Sequence, residues 1–190
     1  MEYDFEKIFE ENKEKFIRLR YNSLLPEKLE LYAKKLADEK RKEDHHKLDG
    51  KKEEKRIVTG LLGELALEFL LQTKIVDWSV GDSCKYNNPD IPGYRVGIKT
   101  VEYGKFPVIF KRNFYPQIVC VVDKDHNQIY ICGLAETSVL NLYQDDDLIV
   151  DDNLRRKGTK TGFYGMHKLK SVRSILDLQK YKESKCNKRK

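Results

Sequence analysis

Cysteine is scarce in this sequence and follows no pattern. Cys84, Cys120, Cys132 and Cys186 form no CxxC pair, and no Cys/His grouping has the spacing of a structural zinc site. Cys120 and Cys132 lie in apolar, strand-like runs, the usual setting of a buried thiol. This usage fits a reducing, cytoplasmic location. Long apolar runs are missing as well: nothing approaches the roughly 20 residues that cross a bilayer, so no membrane partner is expected. The acidic N-terminus MEYDFEKIFEE lacks the apolar centre of a signal peptide. No internal repeat is visible. His45 and His46 sit in a stretch almost without apolar residues, and adjacent helical side chains point about 100° apart, which keeps the two from sharing a metal.

Charge is what the chain has in excess. Charged residues make up 36% of it against 39% hydrophobic, enough apolar content for one modest core. The net charge of +6 is unevenly placed: residues 155–190 hold 13 Lys and Arg against Asp177 and Glu183, so residues 1–154 are net acidic. A basic end on an acidic body points to an anionic partner, most simply nucleic acid; a solubilising tail is the plainer alternative. Within LRRKGTKTGFYG, Arg155, Arg156, Lys157 and Lys160 alternate with Gly and Thr ahead of Phe163-Tyr164. Such residues neutralise phosphates, expose backbone N–H groups and stack on bases, so the four cations are the candidate nucleic-acid contacts. The acids Asp145 to Asp147, Asp151 and Asp152 lack the spacing of a calcium loop and read as a solvated loop.

Periodicity gives the elements. Residues 4–20 have roughly helical spacing, and a second helix begins near Pro26 with Leu29, Tyr32, Ala33, Leu36 and Ala37 on one face. Residues 39–56 read as a solvated helix end or linker. Ile57 to Leu71 is a helix apolar on most sides, with Glu64 and Glu68 sharing one flank. Strands are expected at 74–80, 94–101, 105–110, 117–123 and 128–132, with a polar loop at 81–89. Residues 133–142 read as helical or irregular, 171–178 as a short apolar element, and 180–190 as a disordered basic tail. The expected fold is α/β, a mixed central sheet flanked by helices. It is divided into an N-terminal helical extension (1–50), an α/β domain (51–178) and a tail (179–190).

The stretch NPDIPGYRVGIKT, Asn88 to Thr100, organises the rest. Pro92-Gly93 reads as a turn, and the strand after it places Val96, Ile98 and Thr100 on one face and Arg95, Gly97 and Lys99 on the other. Such a hairpin brings the Asp90 carboxylate near the Lys99 ammonium. A carboxylate holds a hard cation, and a neighbouring ammonium steadies charge on a phosphate. Through Asp90, Gly97-Ile98-Lys99 and the upstream Gly60-Leu61-Leu62-Gly63-Glu64, the chain resembles the PD-(D/E)xK (restriction-endonuclease-like) nuclease superfamily over roughly residues 56–131.

The resemblance implies an αβββαβ core and an endonuclease that hydrolyses phosphodiester bonds of DNA (or RNA), DNA being the more expected partner, with Mg²⁺ or Mn²⁺. Glu64, Asp90 and Lys99 would be catalytic. Asp90, Glu64 and the carbonyl of Ile98 would hold the metal, and Lys99 would position the attacking water. A homodimer is left open. Where the family has Asp or Glu two residues before the Lys, this chain has Gly97. Glu64 or Glu68 would stand in for that acid, whereas strand alternation turns Glu102 away from Lys99. Gly97 also supports a rival reading, a nuclease fold that binds nucleic acid or a protein without cleaving.

Overall fold

In the computed structural model, the described residues are 3–41, 50–78, 90–91 and 93–187. His45, His46 and the loop expected at 81–89 lie outside them. The chain order is α1 (Phe5–Glu10), β1 (Ile17–Arg20), α2 (Leu24–Arg41), α3 (Gly50–Leu71), β2 (Gly97–Glu102), β3 (Val108–Phe110), β4 (Gln117–Asp123) and β5 (Gln128–Ala135). Then follow α4 (Thr137–Leu142), β6 (Gln144–Asp145), α5 (Asp152–Arg156), β7 (Lys160–Phe163) and α6 (Ile175–Asn187). The class is mixed α/β.

Four strands form the larger sheet in the order β1-β5-β4-β2. β4 runs antiparallel to β5 and parallel to β2, so the sheet is mixed and β2 is an edge. The centre is β4, QIVCVVD, with five consecutive buried residues, as a strand covered on both faces requires. One face carries Ile118, Cys120, Val122, Ile129 and Ile131, which pack with Leu29 and Ala33 of α2, Leu62 and Ala66 of α3, and Leu178 of α6. The other carries Val119, Val121, Tyr130 and Cys132, which pack with Phe5 and Phe9 of α1 and with Ile109 and Phe163 of a smaller three-stranded sheet, β3-β7-β6. The sheet thus lies between a helical layer and a second, β-rich layer. Among the described residues, no helix is long and apolar enough to cross a membrane.

Several expectations are corrected. The helical reading of 4–20 holds only to Glu10. The Asn12 side chain donates to the Ile8 carbonyl at 2.9 Å and closes α1. Ile17 to Arg20 then pair antiparallel with β5, which extends the sheet by an edge strand. Alternation of Ile17 and Leu19 with Arg18 and Arg20 suits a strand as well as a helix turn, and pairing decides. Residues 74–78 form no strand. There the Glu68 carboxylate accepts the Val76 N–H at 3.2 Å, after Gln72 has turned the chain with φ 51°. β5 runs on to Ala135, past the end expected at Cys132. The tail expected to be disordered from Lys180 is helical to Asn187. The Asp177 carboxylate accepts the N–H groups of Arg173 and Ser174 at 2.9 and 3.1 Å and so anchors the first turn of that helix.

Candidate active site

The hairpin before β2 is tight. Ile91 and Val96 form an antiparallel bridge, with the Ile91 N–H donating to the Val96 carbonyl at 3.0 Å. The turn between them uses Gly93 (φ 81°) and Arg95 (φ 53°), left-handed backbone that glycine adopts without cost. This geometry sets Asp90 beside Gly97. Asp90 Oδ2 accepts the Ile98 N–H at 2.5 Å, which fixes the carboxylate against the start of β2.

Lys99 is next on the same face. Its register partner is Val119 and that of Val101 is Val121, both in the core shared with the smaller sheet. Ile98 and Thr100 point the other way, toward α3. The result is a cavity of about 150 Å³ between the edge strand β2 and the smaller sheet, lined by Asp90, Gly97, Lys99, Phe110, Tyr115, Gln117 and Lys160 among others.

Electrostatics in this crevice are dominated by cations. Burial first, and then the like charges of Lys160 and Arg56, bring the Lys99 ammonium down to about 8; Asp90 acts in the opposite sense. Lys160 is lowered too, by burial and by Arg56 and Lys157. Asp90 keeps an exposed edge, yet the protein packed around its inner edge raises its carboxyl above the ordinary range. The Ile98 N–H and the Lys99 charge pull it the other way. A crevice with two lysines and one carboxylate favours an anionic occupant.

The other expected site residues are placed as follows. Glu64 does not line the cavity. It sits on α3, whose Gly63 packs against Thr100 on the opposite face of β2, and its charge is felt by the buried Cys120 thiol on that face. Glu102 is also on the α3 side, 3.5 Å from the Thr59 hydroxyl that donates to it, and is engaged by Lys105 and Lys124.

Of the four basic residues expected to contact nucleic acid, Lys160 lines the cavity. Arg155 instead donates to the Ile149 carbonyl at 2.6 and 3.2 Å and ties α5 to the preceding loop. Arg156 and Lys157 are exposed beside it. Phe163, expected to stack on bases, is fully buried, and Tyr164 stacks on Tyr3 with ring centroids 4.0 Å apart.

The chain matches no family model, no curated protein and no solved structure.

Sequence reading missed Arg56, Tyr115 and Gln117. Tyr115 is the informative one. A Cβ on residue 97 would stand 2.9 Å from its ring, and 3.5 Å from both Asp90 Oδ2 and Gln117 Cγ. Glycine at 97 therefore makes room for an aromatic ring where a carboxylate was expected. Among the described residues, no group of three His, Cys, Asp or Glu is set to hold a metal. The segment FKRNFY, Phe110 to Tyr115, was the available signal: cations interleaved with aromatics.

Proposed function

We propose that this crevice binds a nucleic-acid phosphate and that the chain is a metal-assisted nuclease with the PD-(D/E)xK arrangement, cutting DNA or RNA. The observation that supports it is the convergence of Asp90 and Lys99 on one cavity at the edge of the sheet. Asp90 is held in place by the Ile98 N–H and keeps an exposed edge for a ligand. Lys99 meets the charge on the phosphate and steadies the additional charge that builds during attack. Lys160 is a second cation on the same cavity. Tyr115 and Phe110 line the same cavity.

The donor set fits Mg²⁺ or Mn²⁺ only in part. One carboxylate, the Ile98 carbonyl and the Gln117 amide offer few oxygens, and the nearby ammoniums oppose a divalent ion. Mg²⁺ is commonly held by one or two carboxylates together with substrate phosphates, so Asp90 with a bound phosphate is the arrangement these residues fit. When bound, the ion would polarise the phosphoryl group and lower the pKa of a water.

The carboxylate-poor crevice and the ring over Gly97 favour a second reading, binding without cleavage. Labelled DNA and RNA, single- and double-stranded, incubated with the purified chain and Mg²⁺ or Mn²⁺ separate the two. Cleavage that Asp90→Ala abolishes is expected. Binding with no cleavage under either metal leaves the non-cleaving module.

A further inference from the structure

Phe110, the last residue of β3, and Phe114, in the loop that follows, both stand in water. The centre of that loop is Asn113, which is buried and saturated with hydrogen bonds. Its side chain donates to the Phe110 carbonyl at 2.7 Å and to Asn141 Oδ1 at 3.2 Å, its backbone N–H donates to the same Asn141 oxygen at 3.0 Å, and it accepts from Gln117 at 3.2 Å. The anchored loop turns Tyr115 onto Gly97 and leaves the two phenylalanines out. Phe110 is 55% exposed and Phe114 85% exposed. Phe110 also lines the Asp90–Lys99 cavity, and the Lys160 ammonium lies over its ring, 5.3 Å from the centroid. Exposed Arg112 lies between the two rings in sequence.

We infer that Phe110 and Phe114 are a base-stacking platform and that the substrate of this crevice is single-stranded nucleic acid. The inference rests on the reading that the cavity holds a phosphate. Two exposed aromatic rings, one of them on the wall of a cationic cavity, form a candidate contact surface. The charge around them selects its chemistry: Lys99, Lys160 and Arg112 call for an anion, while the rings call for flat apolar faces. A polynucleotide supplies both, one phosphate and one base per residue. The strandedness follows from access. In a duplex each base face is already stacked on its neighbours, and only an unpaired strand can offer a face to a side chain. With Phe110 at the cavity wall, a base beside the held phosphate would meet it first.

The test is fluorescence anisotropy with the full chain, using labelled oligo(dT), oligo(U) and a duplex of equal length, without divalent metal. Wild type is expected to bind single strands more tightly than duplex, and the two single strands report whether the sugar matters. Phe110→Ala and Phe114→Ala should each weaken single-strand binding at least about fivefold, from the usual contribution of one stacked base. Phe114→Tyr should retain it. Duplex binding should change less than about twofold. The slope of affinity against salt should stay the same, because no charge is removed. Thermal midpoints confirm that the variants fold. Equal losses on duplex and single strand, no loss on either, or a wild type that binds neither would overturn the inference. A separate cleavage assay with the same strands and Mg²⁺ or Mn²⁺ keeps the failures distinct: a chain that never cleaves yet shows the phenylalanine effect removes the nuclease reading and keeps the platform.

Discussion

The Tyr115 ring occupies the space beside Gly97, with Cε2 at 2.9 Å from where a Cβ on residue 97 would stand. That contact is closer than side chains tolerate, and the neighbour is an aromatic ring wedged beside Gln117 and Asp90. Gly97→Ala is therefore expected to destabilise the chain by about 1–3 kcal/mol through overpacking, read as a lower urea midpoint at unchanged slope. Gly97→Glu alone should not improve metal binding. Gly97→Glu with Tyr115→Ala opens the space and places a second carboxylate beside Asp90. That pair should bind Mn²⁺ more tightly than wild type in calorimetric titration; equal affinity in both would show that position 97 does not reach the site.

Lys99 makes binding fall off at alkaline pH. Its ammonium is brought down to about 8, so phosphate binding should hold below that pH and decline as pH rises through it. Lys160→Met removes a like charge, which moves the decline to higher pH. An affinity profile that is flat from pH 7 to 9.5 would take Lys99 out of the contact.

The same group affects stability with a definite sign. In the unfolded chain Lys99 keeps the ordinary value of 10.5, and in the folded chain it releases its proton near 8. Between those values the unfolded state binds more protons, so this group's contribution to stability rises with pH across that window. Lys99→Met should be more stable than wild type at pH 7 and should lack this rise, checked by denaturation at pH 7, 8.5 and 10.

Glu102 acts in the acid range. Burial pushes its carboxyl up, but hydrogen bonds from Lys105 and Lys124 outweigh that and hold it at about 2, against 4.5 ordinarily. The stabilisation is fully present above about 4.5 and is lost as pH falls toward 2. Glu102→Gln should flatten the part of the acid unfolding curve in that window.

Helix α3 approaches β2 at Gly63, where an added Cβ would run into the Thr100 hydroxyl and its carbons. Gly63→Ala is expected to lower stability by about 1–3 kcal/mol, and Thr100→Ala in the same chain should recover part of it. Among the described residues the buried Thr100 Oγ1 has no hydrogen-bond partner, so Thr100→Val should be neutral or stabilising. Additive effects of Gly63→Ala and Thr100→Ala in a double-mutant cycle would contradict this packing.

Local chemistry was legible in the sequence wherever a short segment settles its own conformation. QIVCVVD fits a strand buried on both faces, and β4 spans those residues. The Pro-Gly turn and the alternation after it gave a hairpin that joins Asp90 to Lys99, because ten residues of chain fix that geometry. The helix from Ile57 to Leu71 was equally plain from its apolar circumference, and it lies within α3. What packs on what was decided only in three dimensions. IRLR becomes an edge strand because β5 offers a free ladder to it, and nothing in four residues distinguishes that from a helix turn. Glu64 has the right spacing for a site residue, but α3 docks on the face of β2 that Lys99 does not use. Lys160 and Arg56 act on Lys99 from 61 and 43 residues away in the chain, and Tyr115 shares its cavity from 16 residues away. Contacts at such separations are set by the stacking of two sheets and a helix, a property of the assembled layers that no local pattern encodes.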